Sequence, residues 1–230
     1  MKEKTLKIKI LESIKDKAIL KQLVYDNTCT VFENLKKVLI DLEKEFNLAV
    51  SEVTDDKRLV FKYEERSATD ISLTFASEML LFSMHTNVFQ FNRDNEIWDN
   101  PYVMISPANA YSGMITIYNF LTDSFEMGRM DDLGYLVGRL FINRQNHFIV
   151  EGKRQIGFTK ENFEDAIISP LALKIVVERA INYALNFDLL VPPYDNIKIA
   201  SVAQMHEKVQ HARIKTGKRL GFRFNSDDVK

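Results

Sequence analysis

The spacing of apolar residues changes from a helical period to an alternating one near residue 55, which limits the chain to folds that combine helices with a sheet. Before this point, apolar residues recur every three or four positions: Val31, Leu35, Val38, Leu39, Leu42 and Phe46. Thr30 and Glu33 have the form of a capping box, so we expect this helix to begin at Thr30. After Asp55-Asp56 every second residue is apolar: Leu59, Phe61 and Tyr63, then Ile71, Leu73 and Phe75. This alternation predicts strands with one buried face.

The middle of the chain supplies further strand candidates. Residues 79–91 are mostly apolar and predict one long central strand, and residues 102–105 and 113–120 are shorter candidates. Residues 147–151 and 154–158 have the pattern of a hairpin. Because the connections are too short for helical crossovers, the sheet is expected to be mainly antiparallel.

Helices are predicted on either side of these strands. Residues 11–24 have helical spacing, and Asn27-Thr28 is a candidate break before the next helix. Helical spacing returns in the middle of the chain at Leu133, Leu136, Val137, Leu140 and Phe141. Ser169-Pro170 pairs an N-cap with a proline at the first helical position, which predicts a helix to about Asn186, and a last helix is expected over about 200–212. The predicted class is α+β, with a mainly antiparallel sheet of about five to seven strands flanked by N-terminal, middle and C-terminal helices.

Composition narrows the class of protein. With 31 basic and 32 acidic side chains the net charge is -1, which argues against a surface covered with nucleic-acid contacts. Cys29 is the only cysteine, so a disulfide framework and a cysteine-rich metal site are both excluded. Charged residues at nearly every second position of the first ten exclude a secretory signal there, and the apolar stretches are too short or too charged to span a bilayer. We therefore expect a cytoplasmic protein without membrane contact, folded as one α+β domain over residues 1–230.

Two histidines and one glutamate are the weak catalytic candidates. His85 shares its predicted strand face with serine, asparagine and apolar residues, so a largely buried imidazole with a tunable pKa is one interpretation. His147 and Glu151 lie on one face of a predicted strand, but four residues along a strand span about 13 Å, too far for a hydrogen bond. Each therefore needs a partner from another strand to form a catalytic pair, and a structural role is the competing interpretation for all three.

Metal and nucleotide signatures are weak throughout. His206 and His211 are five positions apart, and about 140° of helical rotation turns their imidazoles away from each other. The acidic loop 94–100, which contains the only tryptophan, lacks the spacing and the glycine of an EF-hand. Thr216-Gly217-Lys218 lacks the earlier glycine of a phosphate-binding loop, and Cys29 has no identifiable basic partner. The sequence predicts no metal site and no cofactor.

Two remaining features favour binding over catalysis. The C-terminal segment 206–224 has six basic residues against one acidic residue, Glu207, before its histidines are counted. These candidate partner-binding residues are Lys208, Arg213, Lys215, Lys218, Arg219 and Arg223. Aromatic residues on the predicted sheet are candidates to enclose a small molecule: Phe89, Phe91, Tyr102, Tyr111, Tyr118 and Phe120.

The preferred hypothesis is a non-catalytic binding or assembly module that acts through a protein interface. The interface joins copies of this chain or binds another protein. A pocket for a small ligand is compatible with this hypothesis. The first alternative is an enzyme that uses His85 or His147 with a carboxylate from another strand. Nucleic-acid binding through the basic C-terminal segment ranks lower. Clustering of the histidines with Glu151 favours the enzyme, whereas an uncovered sheet edge or apolar patch favours assembly.

Overall fold

The computed structural model describes residues 5–126, 128, 130, 132–152, 163, 166–187, 194, 199 and 201–202. Its helices are α1 (Leu6–Ser13), α2 (Ile19–Val53), α3 (Pro101–Ile105), α4 (Thr122–Glu126) and α5 (Pro170–Leu185), and a π-helical turn, Ile14–Ala18, joins α1 to α2. Its strands are β1 (Lys62–Glu65), β2 (Asp70–Phe75), β3 (Glu78–Met84), β4 (Phe89–Gln90), β5 (Tyr111–Leu121), β6 (Tyr135–Asn143) and β7 (Phe148–Gly152).

The seven strands form one antiparallel sheet, which confirms the predicted α+β class. Six of them run in the order β1-β2-β3-β5-β6-β7, and β4 also pairs with β5. The long strand predicted over residues 79–91 is wrong in its continuity, because β3 ends at Met84 and β4 begins at Phe89. Both still pair with β5, since Met84 lies opposite Ile115 and Phe89 lies opposite Ser112.

The sheet has a different cover on each face. The larger cluster of buried apolar residues, which we call the main core, lies between one face of the sheet and helices α2 and α5, and it contains Leu140 and Val150. Because successive residues of a strand point to opposite faces, their neighbours Phe141 and Ile149 belong to a second cluster on the other face. The second cluster also contains Val103, from the chain that connects β4 to β5. One face is therefore covered by long helices, and part of the other by this connection.

Helix α2 is continuous across the positions where a start and a break were predicted, so both of those predictions are wrong. Thr30 lies inside the helix, and its hydroxyl donates to the carbonyl of Asp26 at 3.0 Å rather than capping a first turn. The Thr28 hydroxyl likewise donates to the carbonyl of Val24 at 2.7 Å. A threonine hydroxyl that donates to the carbonyl four residues earlier makes its hydrogen bond within the helix, so neither threonine interrupts α2.

The middle helix predicted from Leu133 to Phe141 is wrong, because residues 135–143 form β6. The register of β5 with β6 shifts between Ile117 and Tyr118, which lie opposite Gly138 and Leu136, so Val137 is an extra residue. A bulge of this kind changes which face the following residues point to. Val137 and Leu140 therefore share the main core despite being three residues apart, which imitates a helical period.

Two other predictions near turns have different outcomes. Residues 102–105 belong to helix α3 and not to a strand, because Asn100 caps it by accepting from the Tyr102 amide and Pro101 occupies its first turn. The helix predicted after Ser169-Pro170 is confirmed as α5, and the Ser169 hydroxyl accepts from the Ala172 amide at 3.1 Å.

Residues 147–151, predicted to form a hairpin with residues 154–158, pair with the preceding strand β6 in the described part of the chain. Strand β7 pairs with β6 through the turn 144–146, and residues 154–158 lie outside the described residues. Asn146 has a φ of +62° in this turn, a conformation that asparagine tolerates better than most residues. The predicted helix over about 200–212 lies outside the described residues apart from Ser201 and Val202.

Candidate functional site

His85 is exposed, so the prediction of a largely buried imidazole is wrong. Strand β3 ends at Met84, which places His85 in the interruption before β4 rather than inside the sheet. Its Nδ1 accepts from the Asn87 amide at 3.0 Å, and its ring contacts Phe89 edge-on. These contacts give His85 a structural role in the turn.

His147 is half-buried at the start of β7. Its Nδ1 lies 2.9 Å from the carbonyl oxygen of Phe163, and its ring stacks on Tyr102 at a centroid distance of 4.8 Å. A carbonyl oxygen only accepts hydrogen bonds, so Nδ1 carries the proton in this arrangement. None of these contacts involves a carboxylate.

The surroundings of His147 form a polar cluster that ties three parts of the fold together. The buried Asn143 side chain donates to the Tyr102 hydroxyl at 2.9 Å and accepts from the His147 amide at 3.1 Å. Asn27 of α2 donates to the Arg144 carbonyl at 2.9 Å, and the Arg144 guanidinium donates to the Asn109 side chain at 2.9 Å. Burial raises the pKa of the Tyr102 hydroxyl, against the opposing effect of the hydrogen bond from Asn143. The cluster therefore holds the β6–β7 turn against α2 and α3.

Glu151 has a separate partner, Arg139 on the neighbouring strand β6. Both Nε and Nη2 of Arg139 donate to the same carboxylate oxygen, Oε2, with Nε at 2.8 Å. The guanidinium also lies over the Phe141 ring, 5.4 Å from its centroid. His85, His147 and Glu151 therefore have separate partners and do not form one catalytic cluster.

A pocket of about 70 Å³ lies between the end of the sheet that carries Glu151 and the acidic loop 94–100. Its described lining residues are Phe91, Asn95, Glu96, Ile97, Asn100, Phe141, Ile149, Glu151 and Phe163. Five are apolar, and two of the remaining four are carboxylates. Of the six aromatic candidates from the sequence, Phe91 alone is among the described lining residues, and enclosure of a small molecule stays a prediction.

The acidic loop is shaped by side-chain caps. Asn95 accepts from the Ile97 amide at 3.0 Å and Asn100 accepts from the Tyr102 amide at 2.9 Å, which begins the 3-10 turn Glu96–Asp99 and α3. The Arg93 guanidinium lies 4.1 Å from the centroid of the Trp98 ring. These contacts fix one wall of the pocket.

The described residues contain no group of three histidine, cysteine, aspartate or glutamate side chains placed to hold a metal ion. Cys29 is half-buried against the main core. The basic residues Lys208, Arg213, Lys215, Lys218, Arg219 and Arg223 lie outside the described residues, as do His206 and His211.

The least expected feature is the start of the long helix. Residues 5–19 and 21–23 are all exposed, and the first buried residue is Val24. At a rise of 1.5 Å per residue, residues 5–23 form about 28 Å of helix without a buried side chain. We call residues 5–23 the projecting helix.

The projecting helix has large apolar side chains at five successive turns. Their exposed fractions are 73% for Leu6, 50% for Ile10, 48% for Ile14, 60% for Ile19 and 46% for Leu23. The amide of Ile19 donates to the carbonyl of Ile14, so in the π turn a five-residue step spans one turn, as four residues do in an α-helix. We call these five residues the apolar row.

The sequence contains a signal for the apolar row, although the predictions made from the sequence do not include it. Leu6, Ile10 and Ile14 are four residues apart, which is helical spacing. The five-residue step from Ile14 to Ile19 hides the rest of the row, because only a π turn restores its alignment.

The described sheet edge at β1 differs from the projecting helix in being charged. Lys62 and Glu64 form an ion pair at 2.6 Å, and Arg66 pairs with Glu64 at 2.9 Å. Charged side chains on a short edge strand discourage pairing with another strand.

The helices of the described residues include none with the length and apolar character that a membrane span requires.

Comparison of the chain with protein-family models, with curated proteins and with solved structures finds no match.

Proposed function

We propose that this protein is a non-catalytic binding module that docks onto another protein through the apolar row of its projecting helix. The observation that supports this is the exposure of five large apolar side chains at five successive helical turns. Contiguous apolar surface of this kind typically marks an interaction site. An amphipathic helix that presents one apolar residue per turn is also a common form of protein recognition.

The size of the apolar row suits a specific complex. Fully burying a leucine or isoleucine contributes about 1.5–3 kcal/mol, and each side chain of the row is about half exposed, so each has about 1 kcal/mol still to gain. Five such residues supply on the order of 5 kcal/mol. Association has its own entropic cost, so further contacts from the partner are needed for tight binding.

The charge of the projecting helix favours a partner with acidic side chains around an apolar groove. Its basic residues are Lys7, Lys9, Lys15, Lys17 and Lys21, and its acidic residues are Glu12 and Asp16. The net charge of this helix is therefore +3, and pairing two copies along it brings +6 together. Like charges disfavour that pairing, so we choose a different, acidic protein over a second copy of this chain.

A lipid surface fits the projecting helix less well than a protein does. Helices that lie on membranes commonly carry aromatic residues on the apolar face, and residues 5–23 contain none. Glu12 and Asp16 also place negative charge in the middle of the helix, where anionic lipids repel it.

The other two functions proposed from the sequence have less support. The enzyme hypothesis needs a histidine beside a carboxylate, and His85 and His147 bond instead to Asn87 and Phe163. Nucleic-acid binding through segment 206–224 stays a prediction, as does a role for its six basic residues in partner binding.

A photo-reactive cross-linker tests the docking proposal. Benzoylphenylalanine replaces Ile10 in the full chain, and the matched control places it at Glu12, about 200° around the helix. After irradiation in cells that produce the protein natively, we expect Ile10 to form an adduct with one protein whose cross-linked peptide contains apolar and acidic residues. Adducts only between copies of this chain, adducts with phospholipid, equal yields from both positions, or no adduct overturn the proposal.

Binding of the purified partner then measures the contribution of the row. Replacing Ile10 and Ile14 together by serine is expected to weaken binding about 30-fold, since each loses about 1 kcal/mol of apolar burial. Glu12→Ser is expected to change affinity less than about threefold. Equal effects of the two variants count against docking through the apolar row.

A further inference from the structure

The pocket beside β7 is small, and its size limits what it can hold. Its volume of about 70 Å³ is below the roughly 150 Å³ of a cavity that accepts benzene. A ligand, or the part of a ligand that enters, therefore has only a few non-hydrogen atoms. A short branched alkyl chain is of this size.

The pocket walls favour an apolar group. Phe141, Ile149 and Phe163 are each less than a tenth exposed. The Phe91 ring lies 4.9 Å from the Phe141 ring between centroids, which closes one side. Burial of alkyl groups against such walls contributes about 0.8 kcal/mol per methylene.

The polar part of the lining favours a cation over an anion. None of the described lining residues is basic, and two are carboxylates, Glu96 and Glu151. Glu96 already interacts with another group of the protein, so the contact with a ligand is assigned to Glu151. Nε and Nη2 of Arg139 both donate to Oε2 of Glu151, and no described residue donates a hydrogen bond to Oε1. An ionised carboxylate oxygen only accepts hydrogen bonds, so Oε1 suits a ligand that carries N–H donors.

The position of Glu151 is fixed from two sides. Its strand β7 is paired with β6, where Arg139 lies opposite Glu151. The Arg139 guanidinium is in turn held over the Phe141 ring. A carboxylate held in place before binding loses less conformational entropy when a ligand arrives.

We propose that this pocket binds a compact protonated amine, with its alkyl part against Phe91, Phe141 and Ile149 and its ammonium group donating to Oε1 of Glu151. This site is separate from the apolar row, so a negative result for amine binding does not affect the proposal of protein docking, and the reverse also holds.

Three probes that share a small branched alkyl group test the charge preference: propan-2-amine, propan-2-ol and 2-methylpropanoate. Each is titrated into the full-length protein at pH 7 while the methyl resonance of Ile149 is followed by NMR. We expect the amine to bind at least tenfold more tightly than the alcohol: both can donate to Oε1 of Glu151, but only the ammonium group adds the attraction of a positive charge to the carboxylate. Equal affinity for amine and alcohol, tighter binding of the carboxylate, or no shift with any probe overturns the proposal.

Two variants assign the preference to Glu151. Glu151→Gln is expected to remove the tenfold difference between amine and alcohol, and Glu151→Asp, which keeps the charge, to retain part of it. Glu64→Gln is the matched control, because Glu64 also pairs with an arginine, Arg66, but does not line the pocket. If Glu151→Gln does not fold, the Glu151→Asp result decides, and an unchanged preference there contradicts the proposed contact.

Discussion

Two stretches of one helix, residues 5–23 and residues 24–46, carry apolar side chains at helical spacing but meet different surroundings. In the second stretch the sheet covers the apolar face, and Val24 and Leu39 are fully buried. In the first stretch no residue is buried, and Leu6 is 73% exposed. The helix is continuous, so the difference lies in what faces it.

This comparison shows what an amphipathic pattern does and does not encode. The pattern indicates that one face of a helix has to be covered, because exposed apolar area is unfavourable. It contains no information on whether the cover belongs to the same chain. We interpret the first stretch as the part whose cover is another protein.

The largest expected difference comes from the same substitution in the two stretches. Leu39→Ala removes a fully buried side chain and is expected to lower the free energy of unfolding by about 2–5 kcal/mol. Leu23→Ala removes one that is 46% exposed and is expected to cost less than about 1 kcal/mol. Urea unfolding of the isolated chain measures both, and similar losses would mean that the projecting helix is covered.

The next effect tests how closely the covered stretch approaches the sheet. A Cβ atom on Gly113 of β5 would lie 2.0 Å from Thr28 Oγ1 and 2.8 Å from Thr28 Cβ, so helix and strand would have to separate. We expect Gly113→Ala to cost about 3 kcal/mol.

Gly134→Ala is the matched control for this close approach. The three atoms nearest to its Cβ would all belong to the Phe120 ring, and this partly exposed side chain can move aside. We expect a cost of about 1 kcal/mol by thermal unfolding. If Gly113→Ala is as mild as the control, α2 does not lie tightly on β5.

A smaller change in stability is expected from substitutions at the first residues of the covered helix α5 and of the projecting helix. Ser169 caps α5 by accepting from the Ala172 amide, whereas Thr5, at the start of α1, makes no side-chain cap. Ser169→Ala is expected to cost about 1 kcal/mol in chemical unfolding, and Thr5→Ala close to nothing. An equal cost for Thr5→Ala would show a capped and stabilised start of α1.

The smallest effect concerns acid. Burial acts to raise the pKa of Asp70, but hydroxyl groups of Ser67, Ser83 and Thr69 donate to its carboxylate and leave the pKa lowered. A lowered pKa in the folded state means that the carboxylate adds stability above its unfolded value of about 3.9, and that this stability is lost as pH falls through the folded value.

Asp70→Asn is therefore expected to reduce stability at pH 7 and to reduce it less at pH 3. The exposed Asp16 of the projecting helix serves as the control, and Asp16→Asn is expected to leave unfolding unchanged at both values. The result that counts against this account is an equal loss for Asp70→Asn at both pH values in urea unfolding.

Much of the fold was predictable from sequence because its elements have one buried face. The alternation at Ile71, Leu73 and Phe75 predicts β2, and Ser169-Pro170 predicts the start of α5. Strand β6 was not predictable, because the bulge at Val137 imitates a helical period and burial on both faces removes the alternation.

The candidate sites were less predictable than the fold. The sequence singled out Glu151, but its partner Arg139 and the facing loop come together only through the pairing of β6 with β7 and the course of the chain before β5. The apolar row is hidden by the π turn, whose position follows from hydrogen bonding and not from the spacing of residues.

Hydrogen exchange of the isolated full-length chain tests the central claim most directly. At about 1 μM protein, we predict that the amides of residues 6–23 exchange much faster than those of residues 24–46, because no side chain of residues 5–23 is buried by the described part of the chain. Adding the purified partner protein that cross-linking identifies is predicted to slow amide exchange in residues 6–23 and to leave the exchange of residues 24–46 unchanged. Exchange in residues 6–23 that is already as slow as in residues 24–46 without a partner would contradict an uncovered apolar row.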